Sequence, residues 1–260
     1  RPIGVSAALR DGFRRAQASL KAVAQADLPT AAQIVREPTV AALLDSVGSN
    51  LDGANLVGAS LVALRALTLN LLFELSSRGL LPKPVTLRGA MWSQQPVFSV
   101  RLGGRLTFAT GGGLAAEEIV IYNGKIPMGA VIEPVYHPVW RGVCLALADN
   151  NPTSVFRDHP EQPAGRVLGL GAKPLQAWID GLCAGFALIE QHLPAIASEL
   201  ALAARLILPV GSHDETHFSA SYGHMSGCAY MSLHPSTLTM AEALIHEFQH
   251  NKILTALRTD

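Results

Sequence analysis

Apolar residues recur at intervals of three and four along residues 1 to about 80, and that spacing predicts helices. Breaks fall at Leu28-Pro29-Thr30 and at Glu37-Pro38, because proline cannot donate to a continuing helical ladder. Between and after them, Thr39 to Val47 reads as a short helix and Leu56 to Arg78 as a longer one, with Gly79 where a C-terminal cap is expected.

The pattern changes over residues 85 to 135. Val85-Thr86-Leu87, Val97 to Leu102, Arg105 to Ala109 and Ile119 to Tyr122 are short β-type runs, and Gly103-Gly104 signals a hairpin between two of them. Gly111-Gly112-Gly113 reads as a loop and not a phosphate cradle, since no GK[ST] follows. Residues 149 to 174 are polar and read as a long connection, a lid or a linker between lobes. Helices follow over 174 to 205 with an interruption near Pro194, then a strand at Leu206 to Leu208 and an extended stretch from Phe218 to Leu233. A last helix runs from Ser236 to about Leu257, with Ser236 or Thr239 as its cap.

This order predicts an α+β fold: mainly helical, with a small mostly antiparallel sheet and a metal-binding HExxH helix near the C-terminus. The expected division is a helical region 1–84, a β-rich region 85–148 and an α+β region 149–260, with one continuous domain as the alternative.

Composition narrows the function classes. Apolar residues make up 49% and charged residues 15%, with a formal net charge of zero. No basic field exists for nucleic acid, and no polybasic run addresses an anionic membrane. Leu56 to Leu75 is the most apolar helical stretch, but Arg65, Asn70 and Glu74 within it favour a core helix over a membrane span. The start lacks a basic segment followed by an apolar core, so a cytoplasmic location is expected. Cys144, Cys183 and Cys228 lie far apart and form no CxxC pair, which suits buried thiols in a reducing compartment.

The chemistry concentrates at His246-Glu247-Phe248-Gln249-His250. Histidines four apart on a helix share one face, so His246 and His250 can present two imidazole nitrogens to one ion. Glu247 stands where metallohydrolases place the carboxylate that takes a proton from metal-bound water. Ala243-Leu244-Ile245 and Ile253-Leu254 flank the turn with apolar residues, and Glu242 is either a partner that orients His246 or a helix-start carboxylate. The third ligand is open. Ile253 stands where the longer HExxHxxGxxH motif needs glycine, and upstream His213, Asp214, His217, His224 and His234 are alternatives to a ligand beyond the chain's end.

The stretches Phe218 to Ser221, Ser232 to Ser236 and Ala241 to Lys252 resemble a bacterial family, the HExxH-motif peptide-modification proteins, described as 2-oxoglutarate-dependent HExxH-type peptide β-hydroxylases. The likeness is strongest over residues 218 to 257, and Leu147 to Pro152 with His159 to Glu161 is also similar. The resemblance implies Fe(II) in place of zinc, with His246 and His250 as ligands. It implies 2-oxoglutarate and O₂ as cosubstrates, and a ribosomally made precursor peptide hydroxylated at a side-chain β-carbon. It also implies a further histidine and an arginine-bearing segment past the motif, where this chain stops ten residues after His250. Arg258, near the metal turn, and Arg101 and Arg105, on the hairpin, are candidates for the 2-oxoglutarate carboxylate. An edge strand within 218 to 233 would pair with an extended peptide, making Ser219, Ser221, Tyr222 and Ser226 substrate-lining residues. The alternatives are a zinc metallopeptidase with Glu247 as general base, and a non-catalytic peptide-binding maturation protein. Oligomeric state is not legible in the sequence.

Overall fold

The computed structural model describes residues 6–51, 58–92, 95–108, 118–149, 151, 169–211 and 217–257. The triple-glycine loop, most of the polar connection between 149 and 174, His213, Asp214, Arg258 and Asp260 lie outside those residues. The chain is a mixed α/β protein of two compact units, Arg1–Pro134 and Val135–Asp260.

The first unit opens with α1 (Ala7–Ala26), capped where the Ser6 hydroxyl accepts from the Leu9 amide at 3.2 Å. The break predicted at Leu28-Pro29 is a junction one residue long. Asp27 donates its amide to the Val23 carbonyl at 2.7 Å, ending α1. Its carboxylate accepts from the Thr30 amide at 3.1 Å, starting α2 (Leu28–Val35). Pro38 begins α3 (Pro38–Leu51), and α4 (Gly58–Ser77) follows. Gly79, at φ +72°, ends α4 as expected: its amide bonds the Ser76 carbonyl, and the Leu80 amide bonds the Leu75 carbonyl at 2.8 Å.

Helix α4 is the core of this unit, with Leu67, Leu69, Leu72, Phe73 and Leu75 almost fully enclosed. Around it stand an antiparallel pair, β1 (Val85–Arg88) with β4 (Glu118–Ile121), and an antiparallel sheet in the order β2 (Val97–Ser99), β3 (Gly104–Phe108), β5 (Ala130–Pro134). No helix among the described residues is long and apolar enough to cross a membrane. The polar residues of α4 are held inside: Asn70 donates to the Ala66 carbonyl and accepts from the Phe98 amide. Glu74 lies beside Arg78, whose guanidinium also reaches Glu37 at 2.8 Å.

The second unit is built on a five-stranded sheet in the order β6 (Tyr136–Trp140), β7 (Val143–Ala146), β8 (Leu206–Pro209), β10 (Cys228–Met231), β9 (Ser219–Ser221). A single small, mostly antiparallel sheet was expected. There are instead three sheets among the described residues, and the largest is mixed, with β7–β8 and β8–β10 parallel. The reason is the connection: a chain returning through α5 (Leu175–His192) and α6 (Pro194–Ala203) is long enough to lay β8 parallel to β7. Strands β6 and β7 are absent from the predicted runs because neither alternates cleanly. Pro138 breaks β6 at a register shift on the sheet's edge, and all of β7 is buried. Arg141 and Gly142 join them with φ of +34° and +85°, the left-handed pair of a tight hairpin turn.

Burial raises the Glu74 carboxyl from its ordinary 4.5 to about 7, the Glu37 charge adding to the shift and Arg78 opposing it. A carboxyl whose folded pKa is raised supports the fold most below its unfolded value and loses that contribution as pH rises through the folded one. Stability from this group should therefore fall by about 3 kcal/mol between roughly pH 4.5 and pH 7. Glu74→Gln should flatten that part of the denaturation-versus-pH curve. An unchanged slope in urea titrations of the variant would refute the assignment.

Candidate metal centre

The segment that carries the site is α7 (Thr237–Ala256). Of the two caps considered, Ser236 is the one used: its hydroxyl accepts from the Thr239 amide at 3.3 Å. Met240, Leu244 and Phe248 are fully enclosed in the core of the second unit, and that face meets α5, β9 and β10. Asn251 anchors the same face by donating to the Cys228 carbonyl at 2.8 Å. Helices α5 and α7 come close because Gly185 has no side chain; a Cβ there would lie 3.2 Å from Leu244 Cδ1.

With that face buried, the 3.6-residue period turns His246 and His250 to the opposite, exposed side. Their rings lie side by side, centroids 4.3 Å apart and tilted by 35°. Both line a cavity of about 540 Å³. Leu188, Ile189 and Leu193 form one wall, with His192 at the end of α5; Leu238, Ile245 and Glu242 of α7 belong to the other. The two histidines are thus brought together on one face and on one cavity.

Glu247 is placed differently. It is only 3% exposed and is not among the residues lining that cavity. Its charge acts on His217, just ahead of β9. Burial and then the neighbouring His234 push His217 below the ordinary imidazole range, while Glu242 and Glu247 pull the other way. Both ring nitrogens of His217 are buried without a hydrogen-bond partner. His234 accepts from the Ser236 amide at 3.0 Å through Nδ1, and His224 Nε2 meets Asn151 Oδ1 at 3.1 Å. Among the described residues no three His, Cys, Asp or Glu side chains stand together so as to hold a metal ion. The donor chemistry of His246 and His250 fits two positions of a divalent metal's ligand set.

Ser219 and Ser221 lie on β9, the outermost strand of its sheet, and Tyr222 follows directly. All three are half-buried and none lines the histidine cavity. The Ser221 hydroxyl is buried without a partner, and Tyr222 stacks on His224 with centroids 5.5 Å apart. Of the arginines considered, Arg101 is exposed in the first unit and Arg105 faces Glu133 at 3.8 Å in the same unit.

Two features escaped sequence reasoning. One is a buried polar network: Tyr230 donates to Asp149 at 2.9 Å and meets Asn151 at 3.4 Å. Burial, with Cys228 and Asp149 nearby, holds its phenol far above the usual range, so Tyr230 acts as a donor. The other is His192, which no motif marks; its only signal is its position as the last residue of a helix. Comparison with protein-family models and with curated proteins finds no match.

If the glycine contact sets the distance between the helices, Gly185→Val should cost about 1–3 kcal/mol through overpacking against Leu244 and Met240. Thermal melts read this directly; a variant as stable as the parent would show that α5 and α7 are free to separate.

Proposed function

We propose that the chain is an Fe(II)- and 2-oxoglutarate-dependent enzyme that hydroxylates a side-chain β-carbon in a ribosomally made precursor peptide. The observation that carries this reading is the side-by-side placement of the His246 and His250 rings on one cavity with apolar walls. His246 and His250 would hold the metal, which when bound supplies oxygen activation coupled to oxidation of 2-oxoglutarate. The chain's own part is to orient and enclose. Leu188, Ile189 and Ile245 keep the reacting region apolar, and Glu242, one turn before His246, would steady that imidazole. The open side of β9 offers main-chain groups to an extended peptide, with Ser219, Ser221 and Tyr222 beside it.

Glu247 separates this from a zinc metallopeptidase. A general base must reach the water on the metal, and Glu247 is enclosed and off the cavity that His246 and His250 share. An oxygenase needs no base at that position. Its burial therefore supports the oxygenase reading over hydrolysis.

The test is mass spectrometry of a precursor peptide incubated without air and then supplied with Fe(II), 2-oxoglutarate and O₂. A gain of one oxygen atom that needs all three is expected. It should vanish in His246→Ala and survive in Glu247→Gln within about tenfold, whereas a peptidase would lose several orders of magnitude on losing its base. Zinc-dependent cleavage into two fragments would replace this reading with the peptidase. Peptide binding with neither metal nor turnover would replace it with a maturation protein that only holds its client.

A further inference from the structure

We propose that the cavity beside His246 and His250 is a pocket for an apolar side chain, so that the peptide residue presented there is aliphatic or aromatic; this rests on the peptide-modifying reading above and narrows its substrate class. The cavity measures about 540 Å³, inside the range of roughly 300–1,000 Å³ in which proteins take up small organic groups. Ile189 and Ala241, only 2% and 4% exposed, close it on the core side. They are packed before any ligand arrives, so the pocket is largely formed in advance. Leu188 and Ile245 continue the apolar lining. Toward solvent stand Leu193 and Leu238, 46% and 70% exposed. Single exposed leucines are ordinary, but these two border an apolar hollow. Covering the patch they make with it removes apolar surface from water, and a like group does this without stranding a polar atom.

Charge points the same way. Among the described lining residues Glu242 is the one Asp, Glu, Lys or Arg. An acidic side chain would meet that carboxylate and find no lysine or arginine to pair with. A cationic side chain would gain little, because Glu242 is exposed and its charge stays in water.

The probes are capped pentapeptides, Ac-Gly-Gly-Xaa-Gly-Gly-amide, with leucine, phenylalanine, aspartate or lysine at the central position. They are titrated into the purified full chain and followed by saturation-transfer NMR, which needs neither metal nor turnover. The leucine and phenylalanine peptides should bind about tenfold or more tighter than the other two. Leu193→Lys and Leu238→Lys should cancel that preference while melting as the parent does, since both side chains reach solvent. Leu202→Lys, 78% exposed on α6 and off the cavity, should preserve it. Equal binding of all four, tighter binding of the aspartate or lysine peptide, no binding of any, or a preference that survives both cavity substitutions would overturn the pocket. Sedimentation that shows a dimer lost in Leu238→Lys would make a second copy the occupant, and the proposal would fall. Hydroxylation of a precursor peptide at an acidic residue would leave the oxygenase reading standing without this pocket. An apolar preference with no hydroxylation would leave the pocket and remove the oxygenase reading.

Discussion

The arrangement of the second unit depends on one buried helix face. Met240, Leu244 and Phe248 go into the core, and Asn251 ties the same side to the start of β10. Burial of large apolar side chains is worth roughly 1.5–3 kcal/mol each, which fixes the rotation of the helix about its axis. Once that rotation is fixed, every other position on α7 is assigned. His246 and His250 face outward beside the cavity, and Glu247, one residue on, turns inward. The rings owe their closeness to a constraint imposed from the opposite side of the helix.

A second constraint is the route of the chain between β7 and β8. Passing through α5 and α6 makes those strands parallel and brings α5 against α7. The cavity lies beside this helix pair, which meets at Gly185, and Leu188 and Leu193 stand in its wall. In the first unit the same logic of enclosure acts on polar groups. Helix α4 carries Asn70 and Glu74 into its core, where Asn70 finds backbone partners and Glu74 shares Arg78 with Glu37. Each group is held by a hydrogen bond or an ion pair, as buried polar atoms require.

Much of the helical framework was legible. The apolar spacing and the prolines located α1 to α4, Gly79 ended α4, and Ser236 started α7. These are local effects: a cap, a missing amide, a left-handed backbone angle. The strands from Tyr136 to Ala146 were not legible, since a central strand buried on both faces shows no alternation and Pro138 masks an edge strand. Neither was the sheet order, because pairing partners lie far apart in sequence. The link between Tyr230 and Asp149 spans 81 positions and leaves no periodic trace.

The sequence by itself determined that two histidines share a helix face, because a spacing of four and a pitch of 3.6 residues leave little choice. It also set the formal net charge at zero, with 20 basic and 20 acidic residues. Only tertiary structure decided which way that face points, that His192 lines the same cavity and that Glu247 does not. Those outcomes follow from which apolar surfaces are buried against one another, and that is a property of the packed chain and not of any segment.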